Sequence, residues 1–399
     1  MEYRWEILKI KNGADLMAHI LILGGGIGGV AAANVLAKSL SLEHRITLLD
    51  RRKNHVFKSS FPLLMIDKRN PENIKKKLAG LYQKGIDFIQ AEVKGVYPEE
   101  AVVRTERGPF KYDYLIISLG AEQQPAALPG FSEGAFNAFN LEHMDDLRCR
   151  LPDFKKGRIV FFISGFPVIC PTAPFEMVFL LDEYFRQRGD RDKVEISMVT
   201  PESSLQLLIG PGASSELGNM MAEQKINLIA GTEILALDYH AGRLCLDHGL
   251  SIEGELFMGV PPCRGPQVLS DSFLVEDGGW ITVDPHTLET RARNVYAIGD
   301  ATGIRLPFMK VLAPKYGVFA QYQAAVVAKN IASLIDGRKP GSRFKGRGRL
   351  VIRTGFGRAR YYALNYYRKP KPLATLYRPM RSAYWAKAVH ERNWFTRWL

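Results

Sequence analysis

The chain has 399 residues, of which 46% are hydrophobic and 24% charged, a composition typical of a folded globular protein with room for two or three domains. No run of eighteen apolar residues occurs and residues 1–16 lack an apolar signal region, so we expect neither a transmembrane helix nor a signal peptide. Four cysteines without paired short spacing argue against a disulfide scaffold or a metal site, and they indicate reduced thiols in the cytoplasm.

The net charge of +13 is concentrated at the carboxyl-terminal end of the chain. Residues 343–399 contain fifteen lysine and arginine residues and one acid, Glu391, so the rest of the chain is close to neutral. A basic segment on a neutral body suits an anionic surface, either a membrane or a nucleic acid.

The first predicted unit is a strand, a glycine-rich turn and a helix. His19–Leu23 is a short apolar strand, and the alanine- and leucine-rich run 30–40 predicts the helix. Between them, Gly24, Gly26 and Gly29 match the spacing G-x-G-x-x-G. Glycines at these positions permit a tight turn and a close approach of the backbone to a pyrophosphate, which predicts a dinucleotide-binding Rossmann unit.

An acidic residue ends the next predicted strand. Residues 45–49 are apolar enough for a buried strand, and Asp50 follows them, 26 residues after Gly24. A carboxylate at the end of the second strand accepts hydrogen bonds from ribose hydroxyls in such units. Asp50 therefore completes the predicted dinucleotide motif.

Two later segments repeat the pattern of a strand that ends in a glycine turn. Residues 112–121 contain Gly120, and residues 294–301 contain Gly299 and Asp300. Together with the first motif, these segments resemble the three FAD-contacting stretches of the flavoproteins that have two dinucleotide domains. The resemblance implies bound FAD, with Asp300 hydrogen-bonded to its ribityl or phosphate region.

A second strand–turn–helix unit lacks the glycine motif. Residues 158–165 predict a buried strand and residues 175–188 an amphipathic helix, but the turn between them carries Cys170 instead of a phosphate-binding loop. The missing motif counts against type II NADH dehydrogenases and against the pyridine-nucleotide disulfide reductases, whose paired redox cysteines are also absent. The thiol indicates sulfur chemistry at this turn.

The stretch from Cys170 to Glu176 resembles the family of sulfide:quinone oxidoreductases and flavocytochrome c sulfide dehydrogenases. In that family a Cys-Pro-x-x-Pro-Tyr-Glu-like sequence supplies a redox cysteine beside the flavin and an acid six residues later; Phe175 replaces the tyrosine here. His143 falls where the family has a histidine near the sulfide channel. The resemblance implies that Cys170 is the redox thiol and that Glu176 and His143 handle protons.

A Pro-Lys-x-Gly element of the same family is similar to residues 314–317. The resemblance implies that Lys315 and Gly317 lie at the flavin, where a helix predicted over residues 318–334 begins. The lysine and the amino-terminal end of that helix would stabilise negative charge on the reduced ring.

The family has a second redox cysteine in a strand that is similar to residues 348–357, and this segment contains none. Three other cysteines remain as partners for Cys170. Cys149 lies in a polar helical stretch and Cys245 in an alternating strand, whereas Cys263 lies in a loop similar to the family's Pro-Pro-Phe-Arg-Gly loop. Cys263 is thus the candidate for a second catalytic thiol, and an ordinary buried cysteine is the alternative.

The carboxyl-terminal residues 381–399 can be drawn as a helix with one broad apolar face. That face would hold Tyr384, Trp385, Ala388, Val389, Phe395 and Leu399. Aromatic residues flanked by arginine and lysine suit a helix in a membrane interface. The alternative is a helix packed on the protein's own core or on a dimer partner. Nucleic acid is less favoured, because no nucleic-acid motif occurs.

These patterns predict an α/β protein with two Rossmann-like dinucleotide-binding domains and a basic amphipathic tail. The expected parts are an extension (1–17), the FAD-binding domain in two halves (18–125 and 276–340), a second Rossmann-like domain (126–275) and a membrane- and quinone-contacting segment (341–399). The resemblance implies an oxidoreductase, peripheral on the cytoplasmic face of the membrane, that passes two electrons from sulfide or a related sulfur nucleophile through FAD to a membrane quinone. A quinone reductase fed by NADH or a protein donor and a non-catalytic flavoprotein are the alternatives, and the oligomeric state is left open.

Overall fold

The structure, a computed structural model, describes residues 17–201, 211–276, 278–307, 311–369 and 373–399. Its α-helices within these residues are α1 (Ile27–Ser39), α2 (Phe61–Met65), α3 (Phe131–Gly134), α4 (Leu141–Arg150), α5 (Ala173–Arg188), α6 (Pro211–Glu223), α7 (Gly317–Ile335) and α8 (Arg381–Trp398). Among the described residues, no helix has both the length and the apolar character that crossing a bilayer requires.

The strands group into three stretches of the chain. The first stretch has β1 (His19–Leu23), β2 (Arg45–Asp50), β3 (Asn54–Val56), β4 (Lys75–Lys77), β5 (Asp87–Gln90), β6 (Val93–Tyr97), β7 (Val102–Thr105), β8 (Gly108–Lys111) and β9 (Tyr114–Ile117). The second has β10 (Glu122–Gln123), β11 (Ala135–Asn137), β12 (Gly157–Ile163), β13 (Val194–Thr200), β14 (Ile226–Ala230), β15 (Ile234–Asp238), β16 (Arg243–Leu246), β17 (Ser251–Glu253), β18 (Leu256–Val260), β19 (Cys263–Arg264), β20 (Val275–Glu276) and β21 (Trp280–Ile281). The third has β22 (Val295–Ala297), β23 (Arg347–Gly355), β24 (Arg358–Asn365) and β25 (Leu373–Leu376).

The first sheet has the parallel order β22–β9–β1–β2–β5. Its central strand β1 is apolar on both faces because helices cover both sides of a parallel sheet, and its residues 20–23 are fully buried. The predicted strand is confirmed, and α1 begins at Ile27, three residues before the predicted start. The carboxyl ends of these strands form the edge at which ligands of such sheets bind.

The second sheet has the parallel order β11–β18–β12–β13–β14. Residues 159–163 of β12 are fully buried, and the chain then runs through a turn into α5. The predicted fold class is therefore confirmed: the chain is an α/β protein built on two parallel, Rossmann-like sheets. An antiparallel sheet, β23–β24–β25, follows them in the chain.

Helix α8 packs on the body of the protein, on the side of the first sheet. Its Trp394 ring stacks on Phe57 at 5.0 Å between centroids, and the indole nitrogen lies 3.0 Å from Nε2 of His55. Asn34 and Lys84 donate hydrogen bonds to carbonyl groups in the last turn of the helix. Of the arrangements predicted for this helix, the structure thus shows the one in which the helix packs on the protein's own core.

The helix over residues 381–399 was predicted correctly, but of the strongly apolar residues on the predicted face only Phe395 and Leu399, at its carboxyl-terminal end, pack on the protein. Trp394, Trp398 and Leu399 are buried, whereas Trp385 is 65% exposed and Val389 54% exposed. The difference arises because the tryptophans find aromatic partners in the first domain, which a helical wheel does not contain. Two apolar residues of the predicted face thus remain open to solvent.

Candidate active site

The glycine-rich turn after β1 forms a cradle that side chains would fill. Gly24 has φ +99°, and a Cβ atom there would lie 2.3 Å from the Ser118 carbonyl oxygen. A Cβ at Gly29 would lie 1.9 Å from the Gly24 carbonyl oxygen, whereas a Cβ at Gly26 would meet nothing within 4 Å. Gly26 caps α1 without a side-chain hydrogen bond, so the first N–H groups of the helix face open space. This geometry fits a dinucleotide pyrophosphate.

Asp50 is fixed at the carboxyl end of β2 beside this cradle. One carboxylate oxygen accepts a hydrogen bond from the Gly25 N–H at 2.6 Å, and the other accepts one from the Arg52 N–H at 2.7 Å. The carboxylate is therefore tied to the glycine turn itself. Its position fits the ribose of a dinucleotide bound along the turn.

Three further glycines bring the ends of other elements to the same edge. Gly120 follows β9 with φ +75°, and Gly299 follows β22 with φ +72°. Gly317 opens α7, and a Cβ there would lie 2.6 Å from the Ile27 side chain at the start of α1. The amino-terminal ends of α1 and α7 therefore converge, as a ligand spread over both would require.

Asp300 follows Gly299 in a short turn ahead of α7. Burial raises the pKa of its carboxyl, and the charges of Lys315 and Lys58 oppose that rise. An acid placed between two lysines at the convergence of the helix ends is suited to accept hydrogen bonds from ligand hydroxyls.

Lys315 is a buried cation that lies just before α7. Its ammonium donates to the Thr302 carbonyl oxygen at 2.7 Å and lies 3.8 Å from the centre of the Trp280 ring. Burial lowers the pKa of Lys315 to about 8, against the opposing charges of Asp300 and Cys263. The ammonium therefore supplies positive charge at neutral pH and loses it above about pH 8.

Cys170 lies in the turn that joins β12 to α5. Its N–H donates to the Lys315 carbonyl oxygen at 2.8 Å, and its own carbonyl accepts from the Ala173 N–H at 2.9 Å. The residue has φ +46°, a left-handed conformation that is uncommon outside glycine and concentrated at functional sites. Burial raises the pKa of the thiol to about 11, and Lys387 opposes this rise.

Cys263 is attached to the same turn. Its N–H donates to the Pro167 carbonyl oxygen at 2.7 Å, three residues before Cys170. The residue is 5% exposed, and burial raises the pKa of its thiol to about 12, with Asp300 adding to the rise and Lys315 opposing it. The structure thus brings Cys170, Cys263, Lys315 and Asp300 together, and both thiols are free.

The two residues expected to transfer protons, Glu176 and His143, lie in different surroundings from each other. Glu176, in the first turn of α5, is buried in ion pairs with Arg353 at 2.9 Å and Lys387 at 2.5 Å. His143 accepts a hydrogen bond from the Asn137 N–H at 3.0 Å at the end of β11. Within the described part of the chain, the hydrogen bonds and ring contacts of His143 involve neither Cys170 nor Lys315.

Three residues at this site carried no signal in the sequence. Trp280 touches the Lys315 ammonium, and Arg353 and Lys387 flank Glu176. Lys387 stands on the polar side of α8, where a solvent-exposed lysine is the ordinary expectation. No local pattern marks a lysine whose partner lies 211 residues away.

A small cavity of about 20 Å³, with room for about one water molecule, adjoins Lys315 and Asp300. Its walls continue through Phe319 and Phe344 to Tyr366, next to the antiparallel sheet. One end is therefore charged and the rest largely aromatic. Aromatic walls with a few polar groups at one end are typical of ligand sites, although this cavity is far smaller than the ligand pockets of folded proteins.

The chain matches known proteins over most of its length. Residues 18–161 match the family model of pyridine nucleotide-disulphide oxidoreductases. The mitochondrial sulfide:quinone oxidoreductase of Mus musculus is 25% identical over 384 residues, which are 91% of this chain and 82% of that protein. A type II NADH:quinone oxidoreductase of Staphylococcus haemolyticus is 23% identical over 336 residues, 80% of this chain and 83% of that protein.

A solved structure has the same fold. The sulfide:quinone oxidoreductase of Aquifex aeolicus superposes with a TM-score of 0.85 at 22% identity, over 95% of this chain and 91% of that chain. At this identity the likeness shows the fold alone.

Proposed function

Because this chain is an FAD-dependent oxidoreductase that resembles the sulfide:quinone oxidoreductases, we propose that it passes two electrons from sulfide, or a related small sulfur nucleophile, to a membrane quinone. Bound FAD supplies a two-electron carrier between donor and acceptor. The residues that would hold it are the glycines of the first turn, Asp50, Asp300 and the start of α7. The observation that carries the proposal is the position of Cys170, which hydrogen-bonds the backbone of Lys315 beside that flavin site.

Cys170 is the proposed acceptor of the incoming sulfur. A small anion such as hydrosulfide is attracted by the Lys315 ammonium and reaches a thiol that is held in a strained turn. Overall the sulfur loses two electrons and the quinone gains two electrons and two protons. Glu176 and His143 keep their proposed roles in proton transfer, with Glu176 acting from within its ion pairs.

Cys263 is the proposed second thiol. Its support is its attachment to Pro167 in the same turn and the influence of Lys315 and Asp300 on its ionisation. It stands on a different element from the family's second cysteine. The final acceptor that carries the sulfur away is then another sulfide, a small external thiol or the persulfide itself.

The quinone is proposed to bind against the aromatic residues next to Lys315, where the cavity of about 20 Å³ would have to widen to admit its ring. The wall formed by Phe319, Phe344 and Tyr366 offers apolar surface, and the charged end offers groups for the quinone oxygens. The cavity lies between the flavin site and the basic antiparallel sheet. A head group that arrives from a membrane on that side would reach it directly.

A reaction with NADH is the second candidate, since type II NADH:quinone oxidoreductases are among the similar proteins. Against it stands the turn after β12, where Pro167 and Cys170 replace the glycines that would bind a second pyrophosphate. Anaerobic mixing of the purified holoprotein with sulfide, and separately with NADH, distinguishes the two. We expect sulfide to bleach the flavin absorbance and NADH to leave it; bleaching by NADH alone would refute sulfide as the donor.

Peripheral binding to the cytoplasmic face of the membrane is proposed for the exposed side of α8. Trp385 and Val389 are open to solvent there, and Arg381 and Arg392 are exposed on the same helix. Aromatic and aliphatic side chains among basic residues bind the interface of anionic bilayers, with about 1 kcal/mol for each cation near the surface.

The double substitution Trp385→Ser and Val389→Ser is expected to weaken binding to vesicles of phosphatidylcholine and phosphatidylserine by at least about tenfold. A fully buried apolar side chain contributes roughly 1.5–3 kcal/mol, and about 1.4 kcal/mol corresponds to a factor of ten. Co-sedimentation measures the bound fraction. Leu42→Ser is the matched control, because Leu42 is 95% exposed and lies outside the basic segment. Equal binding of the double variant and the wild type would exclude this surface.

A further inference from the structure

A buried network of four charges connects the Cys170 turn to the carboxyl-terminal helix. Lys387 of α8 donates to both carboxylate oxygens of Glu176, at 2.7 and 2.5 Å, and to the Val351 carbonyl oxygen at 2.9 Å. Arg353 of β23 bridges Glu176 and Glu391, with 2.9 Å to each carboxylate. The buried part of the network has two positive and two negative groups, and the half-buried Arg69 adds a longer ion pair to Glu391, at 3.6 Å.

Stability alone does not account for such a network, because desolvating four charges offsets most of their mutual attraction. Its location offers another reason. Glu176 stands in the first turn of α5, which begins three residues after Cys170. The Cys170 turn is rigid, held by the hydrogen bonds to Lys315 and Ala173. The charges of the network are therefore held at a fixed position relative to the thiol.

Groups from four elements face the Cys170 thiol. Lys387 approaches from α8, Glu176 from α5 and Asp300 from the turn after β22, and the neutral side chains of Thr172 and Tyr316 complete the set. Lys387 favours the thiolate, as does a hydrogen bond from Thr172, whereas the two acids disfavour it. Lys387 is thus the cation that counters both burial and the neighbouring acids.

We propose that Lys387 is a positioning residue for Cys170: from the carboxyl-terminal helix it holds a positive charge at the Cys170–Glu176 turn and so determines how readily the thiol ionises. Three acceptors fix the ammonium, so its charge cannot turn toward solvent. The thiolate is the reactive form of cysteine. By favouring the thiolate, Lys387 of the helix makes Cys170 more reactive. The inference rests on the proposed function in one respect, which is that the thiolate reacts with a sulfur substrate.

The consequence is a coupling between the docking of α8 and the reactivity of Cys170. The helix is held by Trp394 against His55 and Phe57, far along the chain from the thiol. Displacement of the helix would remove Lys387 and Glu391 together and leave Glu176 paired only with Arg353, so the thiol would lose the cation that favours its ionised form. Cys170 would then remain protonated over a wider pH range.

The test is the rate at which iodoacetamide alkylates Cys170 in the FAD-loaded protein between about pH 7 and pH 10, followed by mass spectrometry of peptides. A rise of one unit in the thiol pKa lowers the thiolate fraction about tenfold below that pKa. We expect Lys387→Met to slow alkylation of Cys170 by at least tenfold and to move the pH profile upward. Lys387→Arg, which keeps the charge, is expected to stay within about threefold of the wild type.

Two further variants separate electrostatics from misfolding. Glu176→Gln removes an opposing charge and is expected to speed alkylation severalfold, whereas local unfolding would speed it in every variant, Lys387→Met included. Arg392→Met removes an exposed cation from the same helix and is the matched control, with no change expected. Cys149, which is exposed, serves as the internal standard.

Equal alkylation of Cys170 in the wild type and in Lys387→Met would overturn the proposal, and so would equal slowing in Arg392→Met. The measurement needs neither sulfide nor quinone. A failure of the sulfide-bleaching experiment would therefore refute the proposed donor and leave the alkylation result unaffected. A failure of the alkylation experiment would refute the role of Lys387 and leave the proposed donor unaffected.

Discussion

Replacement of Cys170 by serine is expected to abolish sulfide-dependent reduction of the bound FAD, with a loss on the order of a thousandfold or more in rate. A serine hydroxyl neither ionises near neutral pH nor carries a sulfur chain, although it fills nearly the same space. Stopped-flow absorbance under anaerobic conditions measures the rate. The flavin content should remain equal to that of the wild type, since the glycine cradle lies on another strand.

Cys149→Ser provides the matched control, because that thiol is exposed on α4 and contacts Arg148 rather than the site. We expect its rate to equal that of the wild type. A Cys170→Ser protein that still bleached with sulfide at the normal rate would show that the thiol has no part in the reaction. The proposal of a sulfur donor would survive that result, but its site would have to lie elsewhere.

Arg353→Met is expected to have the largest effect on stability. The side chain is fully buried and forms ion pairs with Glu176 and Glu391, both of which are also buried. Removal of one partner leaves uncompensated charge inside the protein, which costs about 3–5 kcal/mol. Urea denaturation, followed by tryptophan fluorescence, gives the free energy of unfolding.

The pH dependence of this loss has a definite sign. Burial raises the pKa of Glu391 in the folded protein, while Arg353 opposes that rise. Without the arginine the folded-state pKa of Glu391 lies further above its unfolded value. The stability penalty is then smallest below the unfolded pKa and grows as the pH rises through the folded one. We expect the variant to approach the wild type below the unfolded glutamate pKa of about 4.3 and to be weakest at pH values above the raised folded-state pKa of Glu391.

Arg349→Met is the control for that substitution. Arg349 is exposed on the same strand, β23, and its replacement is expected to change the free energy of unfolding by no more than about 0.5 kcal/mol. A loss of similar size in both variants would show that β23 tolerates no substitution at all. A loss in neither would show that the buried charges are already neutralised by other means.

The local elements of the fold could be read from the chain with few errors. His19–Leu23 is a strand because five apolar residues in a row suit the centre of a parallel sheet, and Gly24 must be glycine because its φ is positive and its neighbour is a carbonyl. Lys315 was identified through its Pro-Lys-x-Gly surroundings. Trp280, which touches the Lys315 ammonium, has no such context.

The carboxyl-terminal helix shows what local sequence patterns do not predict. Its length was predicted, but its orientation depends on Trp394 meeting His55, 339 residues away in the chain. Periodicity records which side chains share a face of a helix; it does not record which surface that face meets. Helix α8 therefore packs on the body with a face that shares only Phe395 and Leu399 with the strongly apolar residues of the predicted one.

The amino-acid sequence alone determined the fold class, the FAD cradle and the presence of a thiol in the second turn, because glycine geometry and apolar periodicity act over a few residues. Only the tertiary structure decided what surrounds that thiol. Lys387 and Arg353 reach Glu176 across 211 and 177 residues, and a buried ion pair depends on where chain segments meet rather than on their order. Such a meeting leaves no local pattern, since the same lysine would suit an exposed helix equally well.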